Sequence, residues 1–287
     1  MLFVTKGDVD RKFNLNPKIK LKKEYAMKYI VFYLALIMVI SVPNVFAKID
    51  KKAVAGMWLF EEGGGDVAKD ISGNGNDGAI AGPKKWVKGK FGGGLQFDGS
   101  SVWVEVKDSD SLVLPELSMM AWGNIKPAKG TRWQSIMMKG QNPRNFLLCV
   151  DKDTQKLQIS ITKGAPDAWG GPIAGPEVTD GDWHHFAGVI GQKTGMVLYL
   201  DGQKIAQEAY AKPSLNPNPA LLRIGDGSAG GHQLDGVLDE VAIFNIPLEE
   251  ADITNIMENG LEVATGLKAP VESLGKLTGT WGQIKDK

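Results

Sequence analysis

Apolar residues along this chain fall in short runs, each bounded by Gly, Pro, Asn or Asp. Such punctuation predicts strands rather than helices. We place strands at residues 55–60, 94–97, 102–106, 117–125, 135–139, 146–150, 157–161, 183–190, 196–200, 204–207, 221–224 and 237–244. Within 183–190, Trp183, His185, Ala187 and Val189 share one face, and His184, Phe186, Gly188 and Ile190 share the other. Bulky residues on both faces predict a central strand. Asp201-Gly202 between apolar runs predicts a type I′ hairpin, whose two central residues need positive φ. A second hairpin is expected at Gln192-Lys193-Thr194-Gly195. The fold class that follows is all-β: a two-sheet antiparallel sandwich.

One segment, 248–258, has helical spacing, with Leu248, Ala251 and Ile256 on one face. Pro247 suits a first turn, Glu249 and Glu250 suit the positive end of the helix dipole, and Gly260 can close the helix. Beyond Gly266 the apolar spacing of Val271, Leu274, Leu277, Trp281 and Ile284 is broken by three glycines. We read 266–287 as a C-terminal tail that can dock on a protein partner.

The longest apolar run, Ile30 to Ile40, is too short for a membrane span of about 20 residues. With Met27-Lys28 before it and Val45-Phe46-Ala47 after it, it reads as a signal peptide over 27–47, cleaved after Ala47. An uncleaved anchor is the alternative. Residues 1–26 are then an extension upstream of a start at Met27, and 48–265 form the folded domain. The expected location is secreted or extracytoplasmic, with no transmembrane span after cleavage. Residues 1–47 hold eight of the 33 basic and three of the 33 acidic residues, so the rest of the chain carries a net charge of −5. An acidic product without a basic cluster is a poor nucleic-acid partner.

Hydrophobic residues make up 43% of the 287, which excludes wholesale disorder, and the 36 glycines have no period of three, which excludes collagen. The single cysteine, Cys149, excludes an intramolecular disulfide and a cysteine metal cluster; in Phe146-Leu147-Leu148-Cys149-Val150 it reads as a small buried hydrophobe.

Several stretches together carry a resemblance. They are Gly56-Met57-Trp58-Leu59-Phe60-Glu61-Glu62, the Asp70–Gly78 loop, Gly92-Gly93-Gly94-Leu95-Gln96-Phe97-Asp98-Gly99 and Met120-Ala121-Trp122. Trp183-His184-His185-Phe186-Ala187, Leu198-Tyr199-Leu200-Asp201-Gly202 and Leu222-Arg223-Ile224-Gly225 follow, then Gly236-Val237-Leu238-Asp239-Glu240-Val241-Ala242-Ile243-Phe244. In this order, across about 53–262, they resemble the laminin-G-like branch of the concanavalin A-like lectin/glucanase superfamily. The resemblance implies a jelly roll of two antiparallel sheets, a calcium ion near one edge and a short helix after the last strand. Where similar sequences place Ser or Thr before the acidic pair, this one has Leu248, so the usual N-cap is missing.

Calcium takes six to eight oxygens, and the Asp70–Gly78 loop offers Asp70, Asn74, Asn76 and Asp77 among three glycines. A tight turn rich in positive φ explains the same residues. The resemblance implies that Asp239 reaches the same metal. Glycosidase chemistry needs two carboxyls about 5–5.5 Å apart. Asp239 and Glu240 should instead point to opposite faces of a strand, so no catalytic residue is assigned. Trp-His-His suggests one packed and one solvent-facing imidazole. Sugar binding uses aromatic faces with planar polar groups. Trp133 with Arg132, and Trp169 with Asp167, sit in polar Gly/Pro-rich surroundings and are the ligand-binding candidates; loop anchoring is the alternative. The sequence is thus read as an exported, non-catalytic, calcium-stabilised domain binding carbohydrate or a surface glycoconjugate. A protein-interaction module and a divergent glycoside hydrolase are the alternatives, since this superfold hosts many functions.

Overall fold

A computed structural model of the chain describes residues 25–29, 48–127, 133–140, 145–162, 172–209, 215, 219–227 and 231–268. The chain divides into Met1–Val45, of which residues 25–29 form a helical turn, and Phe46–Lys287. No helix among the described residues is long and apolar enough to cross a membrane.

Sixteen strands form among the described residues of the second unit. They are β1 (Val54–Trp58), β2 (Val67–Ala68), β3 (Gly78–Ala81), β4 (Lys85–Lys88), β5 (Gly93–Asp98), β6 (Trp103–Val106), β7 (Leu117–Ile125) and β8 (Trp133–Lys139). Then come β9 (Phe146–Asp151), β10 (Lys156–Ile161), β11 (Ile173–Glu177), β12 (His184–Gly191), β13 (Gly195–Leu200), β14 (Gln203–Glu208), β15 (Leu222–Ile224) and β16 (Asp235–Phe244). One sheet has the order β14-β13-β12-β7-β16-β5-β4. There β16 gives one edge to β5 along Asp235–Leu238 and to β1 along Val241–Phe244. The second sheet has the order β11-β10-β9-β8-β15-β6-β3-β2. Every pairing is antiparallel, as in a jelly-roll sandwich.

All twelve strands expected from the apolar runs are present, and β12 is central, between β7 and β13. Its alternation divides two apolar layers. Phe186 and Ile190 enter the main core between the sheets, with Leu238 from its own sheet and Ile159 and Ile224 from the other. Ala187 and Val189 face outward and are covered by the helical segment. The strands missed are β2, β3, β4 and β11, which are short or interrupted by Gly and Pro and so show no apolar run. The Asp201-Gly202 hairpin has φ of 48° and 75°, as a type I′ turn requires.

Two helices, not one, follow the last strand: α1 (Glu250–Asn259) and α2 (Leu261–Thr265), with Gly260 at φ 79° between them. The expected helix start is corrected as well. Pro247 lies outside α1, and the cap is Glu249, whose backbone N–H donates to Asp252 at 3.4 Å. Leu248 sits just before the cap and shares the outer apolar cluster with Ile253, one turn in, which is the arrangement of a hydrophobic staple. Its N–H donates to the Ser118 hydroxyl on β7 at 2.8 Å. Leu248 thereby ties α1 to the sheet where a Ser or Thr would only have capped it.

Candidate functional site

The Asp70–Asp77 loop follows β2, and its side chains are occupied by hydrogen bonds. Asp70 accepts from the Met57, Ser72 and Asn76 amides and from the Ser72 hydroxyl, at 2.8–3.0 Å. Asp77 accepts from the Asp70 amide at 2.9 Å and from Lys69 at 2.8 Å. The Asn74 and Asn76 side-chain amides donate to β1 carbonyls, and Asn76 Oδ1 accepts from Ser109. The loop therefore clamps onto β1, and most of its side-chain oxygens face N–H and O–H donors.

Asp239 has its own surroundings, with hydrogen-bond donors other than the residues of the 70–77 loop. Its carboxylate accepts from the Phe91 amide at 2.8 Å and from the Glu240 amide at 2.7 Å. Glu61, at the end of the β1 segment, accepts from the Gly93 amide at 2.9 Å. The two carboxylates thus hold the two ends of the turn between β4 and β5. A Cβ on Gly89 would lie 2.5 Å from Asp239 Oδ2, and one on Gly92 would lie 2.0 Å from Glu61 Oε1. Only glycine lets the backbone come so close.

A β-bulge at Asp239 breaks the alternation of β16, with Glu240 at φ 51°. The expectation that Asp239 and Glu240 point to opposite faces is corrected here. Leu238 and Val241 enter the main core, while Glu240 accepts from the Leu261 amide at the start of α2, on the outer side. Asp239 is fully buried and Glu240 nearly so. Burial raises the Asp239 pKa to about 7 against its backbone hydrogen bonds, with the Glu61 charge adding to the rise. Burial likewise raises Glu240 to about 8, with Asp239, Glu262 and Glu61 adding. Phe60, next to Glu61, also has positive φ, at 56°. Unfavourable backbone and uncompensated charge thus meet around one turn.

In the cross-strand row Asp239–Trp122–His185, the Trp122 and His185 rings lie 5.4 Å apart. Phe91 meets the Trp122 edge at 6.3 Å and Lys90 Nζ lies 4.2 Å from its ring. His185 is buried, and neither ring nitrogen has a hydrogen-bond partner among the described residues. Burial pushes its pKa down to about 4, against the pull of Asp201. The unfolded chain therefore binds the proton first, and stability present above pH 6.5 is lost as pH falls toward 4. Relative to His185→Phe, which does not titrate, the native protein should lose about 3 kcal/mol between pH 7 and pH 4 in urea titrations. Equal pH profiles would refute this. His184 is not simply solvent-facing: it bridges Asp201 at 2.8 Å and Asp180 at 3.1 Å. Burial opposes its charge, but the two carboxylates outweigh burial and raise its pKa.

The outward face of the second sheet is different in character. Trp133, half-buried at the start of β8, packs on Met138, Leu147 and Cys149. Cys149 is buried, and burial pushes its thiol pKa up, so it is an inert packing residue. In the next strands the row Met138–Arg223–Glu105 crosses β8, β15 and β6. Arg223 donates to Glu105 at 3.0 Å and to Asp226 at 3.1 Å, and its guanidinium lies 5.4 Å from the Trp103 ring. Of the predicted ligand-binding set, Arg132, Asp167 and Trp169 lie outside the described residues. Arg223, Glu105, Asp226 and Glu61 were missed as site residues. Arg223 and Glu61 stand in quoted motifs, but only strand register shows what they face.

A family model described as the concanavalin A-like lectin/glucanases superfamily matches residues 98–254. The search of curated proteins found no match. Among solved structures, the binding domain of Paraclostridial Mosquitocidal Protein 1 aligns with TM-score 0.60 and 13% identity over 72% of this chain and 52% of that one. The binding domain of botulinum neurotoxin DC, in complex with rat synaptotagmin II, gives 0.59 and 12% over 74% and 53%. Domain 4 of AbnA, an extracellular arabinanase from Geobacillus stearothermophilus in complex with arabinotriose, gives 0.56 and 18% over 74% and 100%. The chain spans about half the length of the two toxin binding domains. These similarities establish the sandwich fold; two of the neighbours named are binding domains and the third is a domain solved with arabinotriose.

Proposed function

We propose that this chain, which belongs to the concanavalin A-like lectin/glucanases superfamily, is an exported, non-catalytic domain that binds carbohydrate or a surface glycoconjugate. The observation that carries the reading is the outward face of the second sheet. It sets the half-buried Trp103 beside a guanidinium and two carboxylates, with the half-buried Trp133 packed on Met138, Leu147 and Cys149, a combination of aromatic and planar polar groups suited to a sugar. Arg132, Asp167 and Trp169 stay in the proposed ligand-binding set on the sequence reading alone. The arabinotriose complex of the AbnA domain supports a saccharide ligand. The neurotoxin domain bound to synaptotagmin favours a second reading, a protein ligand, with 266–287 as the docking segment. The 27–47 signal peptide remains part of the first reading, which places the mature domain outside the cytoplasm.

Calcium is proposed as a stabilising ion. Asp239 and Glu61, which hold amides of one glycine turn, are proposed as its carboxylate ligands in place of the loop of Asp70, Asn74, Asn76 and Asp77. The Asp239 proton affinity is raised by burial and by Glu61, and a divalent charge would relieve both causes. An array of neutral and acidic glycans, probed with and without chelator, tests the main reading. Binding to at least one glycan is expected; binding to none, with capture of a protein that requires residues 266–287, would establish the second reading instead.

A further inference from the structure

His184, at the start of β12, stands between two segments that no strand ladder joins. Its Nδ1 lies 2.8 Å from Asp201 Oδ2, on the β13–β14 turn. Its Nε2 lies 3.1 Å from each oxygen of Asp180, in the segment that leads from β11 into β12. These two carboxylates are its ion-pair partners among the described residues. The other elements around it bring no charge: β7 opposes it with Gly123, its own strand brings the Phe186 ring, and α1 meets the turn at Gly202 through Thr254 and Met257. The two carboxylates are not equivalent. Asp201 is fixed to β12 twice over, because its Oδ1 accepts from the His185 amide and its own amide donates to the His185 carbonyl, both at 2.9 Å. Asp180 is 55% exposed, and its further donor, the Asp182 amide at 3.0 Å, belongs to its own loop. That loop is pinned where the Val178 amide donates to the Gln155 carbonyl and where Asn124 donates to the Gly181 carbonyl. It turns at Gly181, φ 93°, with open space where a Cβ would stand.

An imidazolium has two N–H donors and serves both carboxylates; a neutral imidazole has one donor and one lone pair. Asp201 is held in place by β12, so the last proton stays on Nδ1. The Nε2 lone pair then faces the Asp180 carboxylate, which can turn to water. We propose that His184 is a pH-operated latch: protonated, it fastens the 179–183 loop to the end of the first sheet, and on losing a proton to water it keeps Asp201 and releases Asp180. Burial opposes the charged ring, but the two carboxylates outweigh burial and hold its pKa above the ordinary 6.5. The tie is therefore complete below pH 6.5 and is lost as pH rises through the raised value.

NMR of the isotope-labelled full chain between about pH 5 and 9 tests the latch. The His184 ring nitrogens report titration and tautomer. Relaxation at the Cα of Gly181 and Asp182, which needs no exchangeable proton, reports loop order. The expected result is a neutral ring protonated on Nδ1, and order parameters that fall from about 0.85, the rigid value, with the same midpoint as the ring. His184→Gln, which does not titrate, should lose the pH response of the loop. Asp180→Asn, at an exposed position, is the second variant should His184→Gln fail to fold. It should move the ring midpoint to lower pH and flatten the loop response, because a side-chain amide can pair with either form of the ring. A neutral ring protonated on Nε2, a loop that does not respond to pH, or a response that persists unchanged in either folded variant would overturn the latch.

Discussion

Calcium at about 100 times its dissociation constant should stabilise the metal-free protein by about 2.7 kcal/mol and raise its melting temperature by roughly 5–11 °C. The reason lies at the β4–β5 turn, where burial and Glu61 leave the Asp239 carboxylate short of compensation. On the proposed reading Asp239 and Glu61 bind the ion only in the native state, so calcium favours that state by mass action. Asp239→Asn and Glu61→Gln should each abolish most of the shift. Asp70→Asn should retain it, because Asp70 is engaged with the amides of Met57, Ser72 and Asn76. Differential scanning with added calcium and with chelator measures all four proteins. A shift lost in Asp70→Asn but kept in Glu61→Gln would move the ion to the other loop.

Trp58→Ala should cost about 3–5 kcal/mol, a third or more of the stability of an ordinary domain. Trp58 is fully buried in the main core, where no rearrangement of β1 can fill the volume of an indole. Its Nε1–H donates to the Asn76 carbonyl at 2.9 Å, so the same side chain pins the 70–77 loop to the sheet. Asn76 answers by donating to the Ala55 carbonyl at 2.8 Å. Trp58→Phe keeps most of the ring volume and loses only the hydrogen bond, so it should cost less than half as much. Urea unfolding with an unchanged slope checks both values. Equal costs for the two variants would mean that the hydrogen bond, not the volume, dominates.

Most strands of this fold were legible because short apolar runs bounded by Gly, Pro, Asn or Asp mark strands whether one face or both are buried. β7, for example, runs over Leu117–Ile125 in the structure as it does in the sequence. β2 and β3 were invisible because short Gly- and Ala-rich pairs carry no such contrast. Local spacing also misplaced Glu240. Alternation assumes an unbroken ladder, and a bulge is set by what pairs across the sheet, not by neighbours in sequence. The site residues divide the same way. Asp239 stood out as an acid in an apolar run, whereas Arg223 and Glu105 meet only through pairing of strands 118 positions apart, and Asp226 joins them from three residues beyond Arg223. Trp133 was found by its polar setting, but the apolar patch beneath it comes from β8 and β9 together.

The way β16 shares one edge between β5 and β1 bears on how the chain reaches its native state. β1 is made early and has no ladder until Val241–Phe244 exist. A nascent chain must therefore carry an exposed apolar ribbon through the synthesis of every strand between β1 and β16, which favours slow folding and self-association. Truncation before Phe244 removes the central staple of a sheet rather than its rim, and such a product should aggregate instead of forming a smaller sandwich.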